Sequence, residues 1–274
     1  MSPIAFISLI VPLRNGRIVT KSSHLQGYGL HSMCTSRAPF SSQSRSPEHR
    51  SRSRQVDLAT MNVRESVDYS LYLVTDRRVV DNMPVEQVVE EALIGGTTIV
   101  QLREKHKSTK EMVELGLRLK FLTTKYHVPL IVNDRIDVAL AIGADGVHVG
   151  QDDMPACLAR KLIGNDMILG VSAGTKEEAI QAFKDGADYI GVGPVYSTLS
   201  KKDAGNPIGT SGLGEIVKSL NDTNMPVVAI GGIQQSNAQA CIDAGASGVA
   251  VISAILGAAD PRKAASELRK TLVL

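Results

Sequence analysis

The chain has 274 residues, a formal net charge of +2, 43% hydrophobic and 21% charged residues, no Trp and 4% aromatics. That is a globular composition, long enough for one large domain or two small ones. Residues 1–60 hold 8 Lys/Arg against 2 Asp/Glu and the remainder holds 22 against 26, so a basic front precedes an acidic body. A body of that sign, poor in aromatics, argues against nucleic acid as a partner. Cys34, Cys157 and Cys241 are widely spaced and odd in number, which excludes a disulfide framework and a CxxC metal site and fits a reducing compartment. No stretch reaches the roughly 18 consecutive apolar residues of a membrane span.

The front sixty residues contain twelve Ser, the run SSQSRSPEHRSRSR and no acid before Glu48. Arg-rich, Ser-rich and acid-poor composition is that of a transit peptide, and equally of a disordered tail with too little periodic apolar content for a core. Translation beginning at Met61 is a third reading. None gives this extension chemistry, so the expected division is an extension over 1–60 and one domain over 61–274.

From Asp68 onward, short apolar runs alternate with segments of helical period. The runs are SLYLVT (70–75), TIVQL (98–102), PLIV (129–132), DGVHV (145–149), MILGVS (167–172), DYIGV (188–192), PVVAI (226–230) and SGVAVI (247–252). Between the first two, Val85, Val88, Val89, Ala92 and Leu93 mark one face of an amphipathic helix. Strands apolar on both faces belong to a parallel sheet covered by helices. Eight such units predict an α/β fold, a (β/α)8 TIM barrel with a disordered N-terminal extension. An open doubly wound sheet would carry a glycine turn after its first strand, and LYLVTDRR has none. The glycines instead cluster at Gly231 and Gly232 after run seven, where barrels build phosphate sites.

In a barrel the residues just past the strands converge on one mouth. Those positions hold Gln101, Arg103 and Lys105 after run two, Asn133 and Asp134 after run three, and His148, Gln151, Asp152 and Asp153 at run four. Ser172 ends run five, Thr198, Ser200, Lys201 and Lys202 follow run six, and Ile252 and Ser253 end run eight. Arg103 and Lys105 alternate along an extended segment and suit one polyanion; a solvated basic loop is the plainer alternative. Asp134 and Asp153 suit a hard cation such as Mg²⁺, held by carboxylates from two loops and by substrate oxygens; either also suits a helix N-cap. Gly231-Gly232 allows close ligand approach, or marks only a tight turn. His148, inside an apolar run, reads first as a satisfied core histidine. The mouth is thus expected to hold two anion sites, one metal-assisted and one not.

These motifs resemble the thiamine-phosphate synthase family, over about residues 68–270. The resemblance rests on LYLVTD, GTTIVQLREK, VPLIVNDRIDVAL, ADGVHVGQDDMP, ILGVSAGT, YIGVGPVYSTLSKKDA, AIGGI and GVAVISAI in order. The segment from VNDRIDVAL to GQDDMP is similar to fungal members. The resemblance implies condensation of 4-amino-2-methyl-5-hydroxymethylpyrimidine diphosphate with 4-methyl-5-(2-phosphoethyl)-thiazole, releasing diphosphate. It implies that Arg103, Lys105, Asn133 and Lys201 grip the diphosphate, that Asp134 and Asp153 hold Mg²⁺, and that Gln101 and Ser172 bind the pyrimidine. Thr198, Ser200, Gly231, Gly232, Ile252 and Ser253 would place the thiazole phosphate. Thr198-Leu199-Ser200-Lys201 stands where the family reads Thr-x-Thr-Lys, keeping the hydroxyl. Fungal relatives often continue into a hydroxyethylthiazole kinase domain, which is not expected in a chain ending at Leu274. A thiazole tautomerase on the same barrel and a non-catalytic phosphate-binding barrel are the alternatives. The first should lack the full diphosphate clamp. Only small-molecule partners are expected, with a homo-oligomer compatible; the location is cytoplasmic, or mitochondrial if residues 1–60 act as a transit peptide. The glycines at 205, 209, 212 and 214 suggest a mobile loop over 201–214.

Overall fold

The computed structural model describes residues 67–80, 83–198, 200 and 205–273. The extension over residues 1–60 and Lys201 lie outside the described residues. Eight parallel strands alternate with helices. They are β1 (Leu71–Val74), β2 (Ile99–Leu102), β3 (Leu130–Asn133), β4 (Gly146–Val149), β5 (Ile168–Ala173), β6 (Tyr189–Val192), β7 (Val227–Ile230) and β8 (Gly248–Val251). Each pairs in parallel with the next, and β1 pairs with β8, which closes the barrel. Every strand falls within an expected apolar run or one residue beyond it. The helices are α1 (Val85–Ile94), α2 (Thr109–Lys125), α3 (Ile136–Ile142), α4 (Ala156–Ile163), α5 (Lys176–Lys184), α6 (Gly209–Lys218), α7 (Gln235–Asp243), α8 (Ser253–Leu256) and α9 (Pro261–Thr271).

Local chemistry sets these ends. The Ser108 hydroxyl accepts from the Glu111 backbone N–H while the Glu111 carboxylate accepts from the Ser108 N–H, a reciprocal cap that opens α2. Asp260 caps α9 by accepting from the Lys263 N–H, with Pro261 at the first helical position. In α1 the five expected apolar positions are all buried.

Alternation along the strands sorts the apolar residues into two layers. Leu71, Leu73, Leu130, Val132, Val147 and Ile190 face outward and pack under the helices. Tyr72, Val74, Ile99, Ile131, Ile168, Tyr189, Val228 and Ala250 face inward and fill the barrel. Burying each large apolar side chain contributes about 1.5–3 kcal/mol, and the two layers together hold the cylinder closed.

At the N-terminal ends of the strands, ion pairs tie helices to strand starts. Arg160 on α4 contacts the Asp188 carboxylate at 2.6 Å, and that carboxylate accepts from the Leu169 N–H. Lys120 on α2 meets Asp145 at 2.7 Å, and Asp145 accepts from the Leu130 N–H. Both pairs are largely shielded from water, so removing one partner would strand a charge.

The inner layer is tight where it holds rings. A methyl group on Gly170 would overlap the Tyr189 ring and the His148 imidazole. Gly170→Ala is therefore expected to destabilise the fold by about 1–3 kcal/mol through overpacking, read as a lower urea midpoint at constant m-value. An unchanged midpoint would show slack in this layer.

Candidate active site

The mouth at the C-terminal strand ends opens into a cavity of about 710 Å³. All thirteen described candidate residues line it: Gln101, Arg103, Lys105, Asn133, Asp134, Asp153, Ser172, Thr198, Ser200, Gly231, Gly232, Ile252 and Ser253. By strand order, residues from β2 to β4 face those from β6 to β8 across the barrel.

On the first wall, the Lys105 ammonium donates to Asp134 Oδ2 at 2.6 Å. Asp134 has φ 62, a left-handed conformation that costs a non-glycine residue energy, and its N–H is spent on the His148 carbonyl. Its carboxyl is raised above the usual Asp range, by burial first and by the neighbouring Asp153 carboxylate, with Lys105 offsetting only part. Asp153 accepts from the Gly150 N–H at 2.8 Å. Neither acid caps a helix: α3 begins after Arg135 and α4 after Pro155, both without a side-chain cap. The capping alternative is overturned, because both carboxylates turn toward the mouth instead. Among the described residues no group of three or more His, Cys, Asp or Glu is gathered as a metal site. A cation on this acidic pair would complete its shell from oxygens other than the chain's own carboxylates.

The end of β1 adds two residues to the mouth, Asp76 and Arg78. Asp76 is 4% exposed and accepts from Arg78 Nη2 at 2.6 Å and from Arg103 Nη1 at 3.1 Å. Burial alone would raise its carboxyl, but the Arg78 hydrogen bonds and the Arg78 and Arg103 charges prevail and hold it below the usual Asp range. Arg78 also reaches across to the Ser200 carbonyl at 3.0 Å, joining the loop after β1 to the loop after β6. The signal was present in LYLVTDRR, where an acid and two arginines follow an apolar run.

On the opposite wall, Gly231 and Gly232 have φ 102 and φ 65. Side chains there would overlap Pro194 and the backbone of Tyr196 and Ser197. The double glycine is thus required by the close approach of the chain after β6, where the Tyr196 N–H donates to the Gly231 carbonyl. Asn237 in the first turn of α7 donates to the Gly232 carbonyl at 3.1 Å and fixes the turn. Of the expected loop over 201–214, residues 201–204 lie outside the described residues and the rest is corrected: α6 starts at Gly209, where the Gly212 N–H donates to the Ile208 carbonyl and Leu213 and Ile216 are buried.

The floor is polar and ordered. Gln101 is buried and donates to the Tyr72 hydroxyl; His148 is buried, as its plainer reading expects, and reaches both Tyr189 and Ser172. Gln151 donates to the Ser172 carbonyl at 2.7 Å.

Such a molecule is a (β/α)8 barrel whose mouth has two facing polar walls over a hydrogen-bonding floor. The family model described as thiamine monophosphate synthase matches residues 71–255. A thiamine-phosphate synthase of Chloroflexus aurantiacus is 54% identical over 209 residues, covering 76% of this chain and 95% of the relative. One of Clostridium tetani is 50% identical, covering 74% and 96%. A solved structure, thiamine phosphate pyrophosphorylase from Pyrococcus furiosus, superposes with TM-score 0.68 at 46% identity, covering 77% and 97%. A 3-hexulose-6-phosphate synthase, 18% identical with TM-score 0.52, shares the fold alone. The chain belongs to the thiamine monophosphate synthase family.

Asp76 generates a pH prediction. Its folded-state pKa is lowered, so its contribution to stability is fully present above the unfolded value of about 3.9 and is lost as pH falls through the folded value. Asp76→Asn should therefore be less stable than the parent at neutral pH, with the gap closing in acid. Urea unfolding at stepped pH measures this, and a gap constant to strong acid would refute it.

Proposed function

We propose that the mouth joins 4-amino-2-methyl-5-hydroxymethylpyrimidine diphosphate to 4-methyl-5-(2-phosphoethyl)-thiazole, forming thiamine phosphate and releasing diphosphate. As a member of its family the chain is a transferase of thiamine biosynthesis. The observation that carries the residue-level reading is the convergence of Arg103, Lys105, Asn133, Asp134 and Asp153 on one wall of the cavity that Thr198, Ser200, Gly232 and Ser253 line from the other.

In this reading the diphosphate lies against Arg103, Lys105 and Asn133, joined by Lys201. The aminopyrimidine rests on Gln101 and Ser172, and the thiazole phosphate takes donors from Thr198, Ser200, Gly231, Gly232 and Ser253, beside Ile252. The C–O bond between the pyrimidine methylene and the diphosphate breaks, and its electron pair leaves with the diphosphate. The methylene cation is then captured by the thiazole nitrogen, whose lone pair forms the new C–N bond. No protein nucleophile is needed. The chain's work is to neutralise the leaving group and to align the two rings, effects worth several kcal/mol each.

The acidic pair Asp134 and Asp153 suits Mg²⁺, a hard ion that takes a few carboxylates plus substrate phosphate oxygens. When bound, Mg²⁺ supplies further charge neutralisation to the diphosphate. The domain over 61–274 carries this chemistry, and the extension over 1–60 carries none. The proposed location is the cytoplasm, or mitochondria if the extension is a transit peptide; sequencing the N-terminus of the cellular protein decides.

The test is an assay of the full chain with both substrates and Mg²⁺, where failure to form thiamine phosphate refutes the reading. Lys105→Ala and Lys201→Ala should each lower turnover about 10²–10³-fold, the usual loss for a preorganised electrostatic contact; wild-type rates would remove both from the clamp. Asp134→Asn should raise the Mg²⁺ concentration needed for half-maximal rate, and an unchanged titration would exclude Asp134 as a ligand.

A further inference from the structure

Five polar side chains form a line across the barrel, from Gln101 on β2 to Ser172 on β5, and the chemistry above uses only its two ends. Gln101 Nε2 donates to the Tyr72 hydroxyl at 2.9 Å. The Tyr72 and Tyr189 hydroxyls are 2.8 Å apart, Tyr189 meets His148 Nδ1 at 2.9 Å, and His148 Nε2 meets Ser172 Oγ at 2.9 Å. Tyr72, Tyr189, His148 and Gln101 are all buried. Room for the line is made by glycine: a methyl on Gly170 would overlap both the Tyr189 ring and the imidazole, and one on Gly191 would crowd the His148 ring.

Each hydroxyl carries one proton, and a neutral imidazole carries one, so the orders that use every one of these protons run all one way or all the other. In one direction Gln101 donates to Tyr72, Tyr72 to Tyr189, Tyr189 to His148 Nδ1, and His148 Nε2–H to Ser172. Gln101 Oε1 is then left as an acceptor and the Ser172 proton as a donor. In the other direction, with the carboxamide turned over, Ser172 donates to His148 and keeps a lone pair, while Gln101 keeps an N–H. A mixed order leaves a buried hydroxyl proton without a partner along the line, or turns two protons or two lone pairs toward each other, and either is costly away from water. Both permitted orders leave one donor and one acceptor at the ends.

We propose that Tyr72, Tyr189 and His148 are positioning residues that couple Gln101 to Ser172, so that the floor selects a ring bearing an amine beside a ring nitrogen. This rests on the functional reading above, in which those two ends hold the aminopyrimidine. The line makes the floor a matched pair rather than two independent contacts, and a ring with only acceptors leaves one end unsatisfied.

The test compares the full chain with Tyr189→Phe, which removes one hydroxyl and keeps the ring, on the pyrimidine diphosphate and on its analogue with hydrogen in place of the 4-amine. Tyr189→Phe should lower kcat/KM for the amino substrate about tenfold or more, the scale of one lost hydrogen bond. The preference for the amino substrate over the analogue should fall with it, while the KM for the thiazole phosphate stays unchanged. Gln101→Leu and Ser172→Ala should be non-additive in the parent and additive in the Tyr189→Phe background. A role in packing alone would slow both pyrimidines equally, so an unmoved preference overturns the proposal. Tyr72→Phe makes the same cut one position earlier and serves if the first variant does not fold. Nitrogen NMR of His148 in the unsubstituted chain, saturated with the pyrimidine diphosphate, should show a neutral ring in one tautomer; a doubly protonated ring overturns the proposal without any substitution. Wild-type protein that forms no thiamine phosphate sinks the functional reading, whereas active protein with an unmoved preference sinks this inference alone.

Discussion

A closed barrel has to be filled from inside, and here the space is taken by two tyrosines whose hydroxyls meet at 2.8 Å. The Tyr189 ring lies 5.0 Å from Tyr69 and 5.8 Å from Tyr72, centroid to centroid, both pairs tilted, so three rings pack together inside the barrel. Burial raises both Tyr72 and Tyr189 above the ordinary phenol range, which keeps their protons available as donors. Rings of this size demand missing side chains on their neighbours, and Gly170 supplies that space. The residues above the rings then rest on a floor in which these polar groups sit among inward-facing aliphatics such as Val74 and Val228.

From that floor the site follows by geometry. The parallel register sets Asn133 opposite His148, with Gln101 opposite Ile131 two residues before Asn133 and Ser172 two residues beyond Gly170, the partner of His148, so all four come from the C-terminal halves of β2 to β5. The backbone then changes role at the strand ends. Asp134 enters a left-handed conformation, which lets its carboxylate face Lys105 rather than cap α3. The strain sits where a scaffold of eight paired strands can hold it. The facing wall uses glycine for the same purpose, so that the chain after β6 approaches β7 closely enough for a backbone hydrogen bond.

The barrel was readable from the amino acids because a parallel strand buried on both faces is apolar at nearly every position, and eight such runs have few other architectures open to them. The mouth was readable because strand ends, once located, name their own occupants. The inner layer was not, since a run apolar on both faces gives no clue to which residues point inward. Tyr72 and Tyr189 therefore passed as ordinary core, and His148 as a satisfied histidine whose partners could not be named. Asp76 and Arg78 needed a contact 27 residues away, to Arg103, and another 122 residues away, to Ser200, to acquire meaning. The glycines after β6 suggested freedom up to Gly214, but burial of Leu213 and Ile216 overrides local propensity and α6 starts at Gly209.

The acidic body and cationic mouth are consistent because the mouth cations Arg78, Arg103 and Lys105 are each paired with a carboxylate, and the two kinds of pair differ in what they allow. Asp76, at 4% exposure, holds two guanidiniums at once. Arg78 gives Nε and Nη2 to Asp76 and Nη2 also to the Ser200 carbonyl, and Arg103 gives Nη1 to Asp76, so both guanidiniums that line the cavity are held in place by the fold itself. Lys105 is different: it is a point charge on a flexible stem, 41% exposed, whose carboxylate partner Asp134 is itself raised by burial and by Asp153. In the proposed reading the diphosphate would compete with Asp134 for that ammonium, and each unit of negative charge brought to this wall would worsen the crowding of Asp134 and Asp153. The arginines therefore act as fixed anchors. Lys105 and the acidic pair form the adjustable side of the mouth, where charge would redistribute if the proposed diphosphate is held there.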